Sequence, residues 1–165
     1  MSAIPLKYVP PQLTRKDQKT QIKMLNTSRA LYKKNKYYTR KKINSYKNKK
    51  SNHVANAVEL YNVKNVTPGT ELSSKTGCSI SALRQIVRKG EGAYYSSGSR
   101  PNQTPQSWGL ARLASAITGG KSAAVDFDII NKGCSHKKKA FILANSAKRK
   151  YGYGHAKTKK FKLFE

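Results

Sequence analysis

Carboxylates are scarce in this chain. Seven Asp and Glu face 34 Lys and Arg, a net charge of +27 over 165 residues. General acid–base catalysis and divalent-cation binding both draw on grouped carboxylates, so the composition offers little material for either, and neither a metal nor a cofactor is expected. Histidine is equally thin. His53, His136 and His155 stand in polar or basic surroundings, and Cys134-Ser135-His136 falls short of the ligand set that zinc requires. The two cysteines, Cys78 and Cys134, lie 56 positions apart. That spacing matches neither a disulfide framework nor a CxxC redox pair, so reduced thiols in an intracellular setting are expected. No apolar run reaches the about 18 residues that span a bilayer, and MSAIPLKYVPPQ lacks the apolar stretch of a secretory signal. A protein neither secreted nor transmembrane is expected.

What is abundant is positive charge, and along the sequence it gathers at the two ends. Residues 1–50 carry a balance of +14, residues 51–133 one of +4, and residues 134–165 one of +9. This divides the chain into a basic N-terminal arm with one helix (1–50), a near-neutral folded core (51–133), and a basic C-terminal helix and tail (134–165). Such a balance opposes compaction and calls for an extended anionic partner.

The fold class expected is mainly α, a small α-rich domain with extended basic arms, with α+β as the alternative if strands form in 61–75 or 91–103. Pro5, Pro10 and Pro11 make residues 1–13 an extended lead-in. Its apolar Ile4, Leu6, Tyr8, Val9 and Leu13 suit contact with another surface. Thr14 with Asp17 three residues on is a capping box with Asp in place of Glu. It predicts a helix fading near Asn35 with Ile22, Leu25 and Tyr32 on its apolar stripe. Ser51 and Ser79 head two further helices, the second ended by Gly90 as a left-handed C′ residue. Thr104, Pro105 and Gly119-Gly120 punctuate a helix rich in small residues, with Trp108, Leu113 and Ile117 as its buried bulk. Helices over 122–131 and 136–150 complete the reading.

Most catalytic-looking motifs fail on their own terms. Gly120-Lys121-Ser122 ends like a phosphate-binding loop, but Ser115 stands where that pattern needs glycine, and a helix precedes it where a strand should. It reads as a helix stop followed by the Ser cap of the next helix. Gly90-x-Gly92 is half a dinucleotide fingerprint, with Tyr95 in the third glycine position. Asp126 and Asp128 lie about 200° apart on a helix and cannot share an ion. Near a helix N-terminus they complement the macrodipole instead. The segment GEGAYYSSGSRPNQTPQSWG reads as a Gly/Ser-rich loop. Arg100 there either lines an anion pocket at the following helix N-terminus or pairs internally, for example with Glu91.

The strongest signal is basic residues interleaved with aromatics. The candidate partner contacts are Lys33, Lys34, Arg40, Lys41, Lys42, Lys49, Lys50, Arg100, Lys137, Lys138, Lys139, Lys148, Arg149 and Lys150. The candidate aromatic anchors are Tyr32, Tyr37, Tyr38, Tyr46, Phe161 and Phe164. Cations neutralise phosphates and aromatic rings stack on bases. The same composition suits acidic protein grooves and anionic lipid headgroups.

The stretch RKGEGAYYSSGSRPNQTPQSWGLARLASAITGGKSAAVDFDIINKGC resembles the core of an uncharacterised family encoded by large double-stranded DNA viruses, including those of algae. The likeness extends upstream through YVPPQLTRKDQKTQI, ALYKKNKYYTRKKI and KTGCSISALRQI. No activity is attached to that family, so the resemblance carries over no catalytic residue. It implies a virus-encoded protein carried in the particle. In that setting the expected role is a non-enzymatic minor capsid or cement protein inside an icosahedral shell. Its basic arms would bind acidic faces of the major capsid protein and minor capsid neighbours. The alternative is sequence-independent binding of the packaged genome, and an anionic inner membrane is a further surface the arms would suit.

Overall fold

The computed structural model describes residues 3–49, 51–152 and 159–162. It is mainly helical. Among the described residues it contains α1 (Arg15–Tyr32), α2 (Asn52–Tyr61), α3 (Thr70–Thr76), α4 (Ile80–Ser96), α5 (Pro105–Ile117), α6 (Lys121–Val125), α7 (Phe127–Gly133) and α8 (Lys139–Tyr151). Extended pairing among these residues is limited to two isolated antiparallel bridges, Pro5 with Lys160 and Cys78 with Cys134. Residues 61–75 and 91–103, where strands were the alternative, form turns, α3 and the end of α4.

The chain forms two compact units, each discontinuous in sequence. The first is drawn from Met1–Lys49, Glu91–Pro105 and Lys157–Glu165, the second from Lys50–Gly90 and Gln106–Ala156. This grouping differs from the linear division into arm, core and tail. Charge along a sequence reports where lysines cluster, not which segments pack together.

In the first unit the N-terminal segment is folded, not laid out as a strap. Leu6–Tyr8 is a 3-10 turn, and Ile4, Tyr8, Val9, Leu13 and Ile43 are buried within the chain itself. The burial of Ile4, Tyr8, Val9 and Leu13 removes four of the five apolar residues expected to seat on a neighbour, and Leu6 is half-buried. Thr14 caps α1 as read, the Asp17 N–H donating to its Oγ1 at 3.2 Å, but the box is not reciprocal, since the Thr14 N–H donates to Ser45 Oγ at 3.2 Å. The Asp17 carboxylate also accepts from the Ser45 N–H at 3.2 Å and from its hydroxyl, tying residues 41–49 back to the start of α1. The Ser45 hydroxyl holds the Asp17 carboxyl below its ordinary pKa, with Ser45 N–H, Lys16 and Thr14 adding to the effect and partial desolvation opposing it. This tie is therefore present above the ordinary carboxylate range and is lost as pH falls through the lowered value. The buried face of α1 is Gln21, Met24, Leu25 and Ser28, at i, i+3, i+4 and i+7. Two of the four are polar, which is why apolar periodicity placed the stripe off-centre on Ile22.

The second unit packs α2, α3, the start of α4, and α5 to α8 around Tyr61, Leu72, Leu83, Ile86, Leu113, Ile117 and Ile130. Ser79 caps α4, its Oγ accepting from the Ala82 N–H at 3.1 Å. Gly90 does not end that helix, which continues to Ser96. Its glycine serves a different need, because a Cβ there would lie 2.6 Å from the Gly109 Cα of α5. The small-residue run of α5 thus receives a neighbouring helix. A Gly-to-Ala change inside a helix ordinarily gains about 1 kcal/mol. Here we expect Gly90→Ala to lose about 1–3 kcal/mol, because backbone meets the new methyl. Urea unfolding of the variant checks the sign, and a gain would mean that α4 and α5 can part freely.

The helix α5 starts at Pro105 and stops before Gly119, whose φ of 76° is left-handed. Trp108 is half-buried, not core. Gly120, not Ser122, is the N-cap of α6. The single helix expected over 122–131 is two, broken at Asp126. The α8 helix buries Ala140, Ala144 and Ala147 and leaves Ile142 54% exposed.

The cysteines are joined, correcting the expectation of free thiols: Cys78 and Cys134 form a disulfide. Around it the Ser79 N–H donates to Gly133 O and the Ser135 N–H to Gly77 O, each at 2.8 Å. A separation of 56 residues carries no information about this, since the antiparallel bridge that aligns the thiols is made by tertiary packing.

Candidate anion-binding surface

Positive charge is spread over both units. The first holds nineteen basic against three acidic side chains, a balance of +16, and the second fifteen against four, a balance of +11. Lys33, Lys34, Lys41, Lys42, Lys49 and Arg100 are exposed in the first unit. In the second, Lys137, Lys138 and Lys139 are exposed where α8 begins, a placement its dipole disfavours. Arg149 and Lys150 are exposed at its end, which the dipole favours, while Lys148 is half-buried with Nζ 4.3 Å from the centre of the Phe127 ring. Lys50 and Phe164 lie outside the described residues. Among the described residues Arg100 makes no ion pair with Glu91.

Arg40 is the exception among the predicted contacts. It is buried, 9% exposed, and not a surface cation. Its Nη1 donates to Ser28 Oγ (3.0 Å) and Tyr94 O (2.9 Å), and its Nη2 to Ser99 Oγ (2.8 Å). The guanidinium lies 3.8 Å from the Tyr94 ring centre, and the Arg40 N–H donates to the Tyr94 hydroxyl at 2.9 Å. Desolvation lowers its pKa from the ordinary arginine value, partly opposed by Tyr94 and Tyr8. Neutral acceptors and a ring face replace a counter-ion here. The sequence signal for it was weak, because Arg40 sits in a run of cations that looks uniformly solvated.

The aromatic candidates divide. Tyr38 and Tyr46 are half-buried, as is Phe161, whose N–H pairs with Ile4 O at 2.7 Å. Tyr32 and Tyr37 form a three-ring cluster with Tyr95 of α4. Tyr32 and Tyr95 stack at 6.2 Å and 8°. Tyr37 meets Tyr95 at 5.1 Å and 54°, and Tyr32 at 6.2 Å and 56°. Tyr37 is 70% exposed. The sequence places Tyr95 in a Gly/Ser-rich loop and gives no sign of its partnership with the N-terminal tyrosines.

In the second unit the acidic pair resolves into separate roles. Asp126 is fully buried and accepts from Arg112 through Nε (2.7 Å) and Nη2 (2.8 Å), with Lys89 Nζ at 3.4 Å. Asp128 is exposed in the first turn of α7. Among the described residues no three His, Cys, Asp or Glu side chains are placed to hold a metal ion. The Gly120-Lys121-Ser122 segment packs on Ser115, whose Oγ accepts from the Ser122 N–H at 3.3 Å. No helix among the described residues is long and apolar enough to cross a membrane.

A profile for a family of unknown function (DUF5824) matches residues 5–133, ending before α8. No curated protein and no solved structure matches the chain.

Proposed function

The chain belongs to DUF5824, a family of unknown function, and from that premise we propose that it is a non-catalytic protein of a virus particle that binds nucleic acid without regard to sequence. The observation that carries this reading is the set of exposed lysines of the first unit, with Lys33, Lys34 and Lys36 in the turn beside the exposed ring of Tyr37. Placement in a particle rests on the viral resemblance of the YYSSGSRPNQTPQSWG region. Lysines 33, 34, 41, 42 and 49 neutralise backbone phosphates, a contact that carries no base information. With five phosphates engaged, affinity for duplex DNA is expected to fall about five-hundredfold between roughly 50 and 200 mM salt. Fluorescence anisotropy with two unrelated duplexes of equal length checks this. Equal affinities and a steep salt slope support the reading, and an affinity that ignores salt or prefers one sequence strongly overturns it.

A second reading, the minor capsid protein on the inner face of the shell, is favoured by one feature of the second unit. Leu60, Val125 and Ile142 are exposed apolar side chains, suited to a protein partner. The burial of Tyr8, Val9, Leu13 and Ile43 weighs against it in its strap form, since those residues are already occupied. Retention at fixed copy number in particles emptied of genome would select the capsid reading over the genome-binding one.

A further inference from the structure

We propose that Tyr37, braced by Tyr32 and Tyr95, is a stacking platform for the bases of single-stranded nucleic acid. This rests on the nucleic-acid reading and names the form of the ligand.

The platform is built, not incidental. Tyr32 is the last residue of α1. The four residues after it fold back on the helix end, with the N–H groups of Lys34 and Lys36 both donating to Leu31 O at 2.9 Å and that of Asn35 to Tyr32 O at 3.0 Å. Asn35 takes the left-handed conformation the reversal needs, with φ 58°, and asparagine tolerates it better than most residues. The turn returns Tyr37 to within 6.2 Å of the Tyr32 ring. Behind them Tyr95 is held edge-on by Tyr94 at 5.1 Å and 89°. Tyr94 is itself fully buried and clamped by Arg40. The cluster therefore rests on one of the best-secured points of the unit, while its outermost ring remains 70% open to solvent.

Packing on Tyr32 and Tyr95 holds the Tyr37 ring in place and still leaves most of it open to a ligand. Its neighbours identify what it fits. Lys33, Lys34 and Lys36 are exposed in the very turn that joins the two tyrosines. A ligand meeting this surface must offer a planar face and negative charge at short spacing. A single strand does both at every nucleotide, whereas a duplex buries its base faces in the stack and an acidic peptide segment offers a planar face only where an aromatic residue occurs.

The test uses the full chain with a fluorescein-labelled oligo-dT strand and a duplex of equal length, read by anisotropy. Tyr37→Ala is expected to weaken strand binding about tenfold, with the salt slope and the duplex affinity unchanged. Tyr37→Phe should restore strand binding, because stacking needs the ring and not the hydroxyl. If Tyr37→Ala leaves strand binding intact, or weakens strand and duplex alike, the platform is wrong while the polyanion reading stands. If neither nucleic acid binds wild-type protein, both fall. If the variant loses only binding to phosphatidylserine vesicles, the platform belongs to a lipid surface and this proposal is overturned.

Discussion

Reduction of the Cys78–Cys134 disulfide is expected to lower the free energy of unfolding by about 4 kcal/mol. The argument is one of chain entropy. The bond closes a loop with a sequence separation of 56, and the unfolded chain recovers that freedom once it is cut. The loop contains α4 through α7, so nearly half of the second unit is constrained by it. The folded state loses little beyond the bond itself, because Ser79–Gly133 and Ser135–Gly77 backbone hydrogen bonds already hold the two segments together. Both half-cystines are buried, so the reduced thiols find an apolar setting. The measurement is urea unfolding with and without a strong reductant, and the paired Cys78→Ala, Cys134→Ala variant should match the reduced protein. A change under about 1 kcal/mol would mean that the unfolded state is already restricted without the bond. A chain expressed under reducing conditions should accordingly be the less stable form, a point of practical weight for any binding assay.

The parts of this fold legible in the sequence are those that local chemistry settles. Thr14 with Asp17, Ser79 before Ile80, Pro105 at a first helical position and Gly119 past a last one each satisfy a backbone need within three or four residues. All four mark helix ends in the structure. What stayed hidden depends on partners far along the chain. Gly90 carries the same residue type as Gly119, yet it answers to Gly109 and not to a turn. Arg40 reads like Lys41 and Lys42, yet it answers to Ser28, Tyr94 and Ser99. Tyr32 and Tyr37 are legible as aromatics among lysines. Their third ring, Tyr95, belongs to a segment whose partners lie some sixty residues upstream. The same reason defeats the linear charge partition. Both units are assembled from separated stretches, so a folded residue can sit in a run whose composition resembles that of a disordered tail.

Arg112→Ala is expected to destabilise the protein by about 3–5 kcal/mol, the cost of leaving a buried charge without its partner. Asp126 has no exposed side-chain surface, and Arg112 supplies it two parallel hydrogen bonds at 2.7 and 2.8 Å. Lys89 remains in the variant but reaches only one oxygen, at 3.4 Å, from a side chain 54% exposed. The pair also fixes a corner of the chain. Asp126 is the break between α6 and α7, its N–H donating to Ser122 O and its carbonyl accepting from the Ile129 and Ile130 N–H groups. Loss of the arginine therefore loosens the junction of two helices as well as an ion pair. Arg112→Lys should fall between wild type and alanine, since an ammonium cannot offer the fork that the guanidinium does. The double variant Arg112→Met, Asp126→Leu separates the two contributions. If the cost of the single change is an unpaired buried charge, removing both charges returns most of the stability. If the cost is the loosened corner, the double variant stays as unstable as the single one. Denaturant unfolding of all four proteins makes the comparison, and a loss under about 1 kcal/mol for Arg112→Ala would show that Asp126 is served well enough by Lys89 alone.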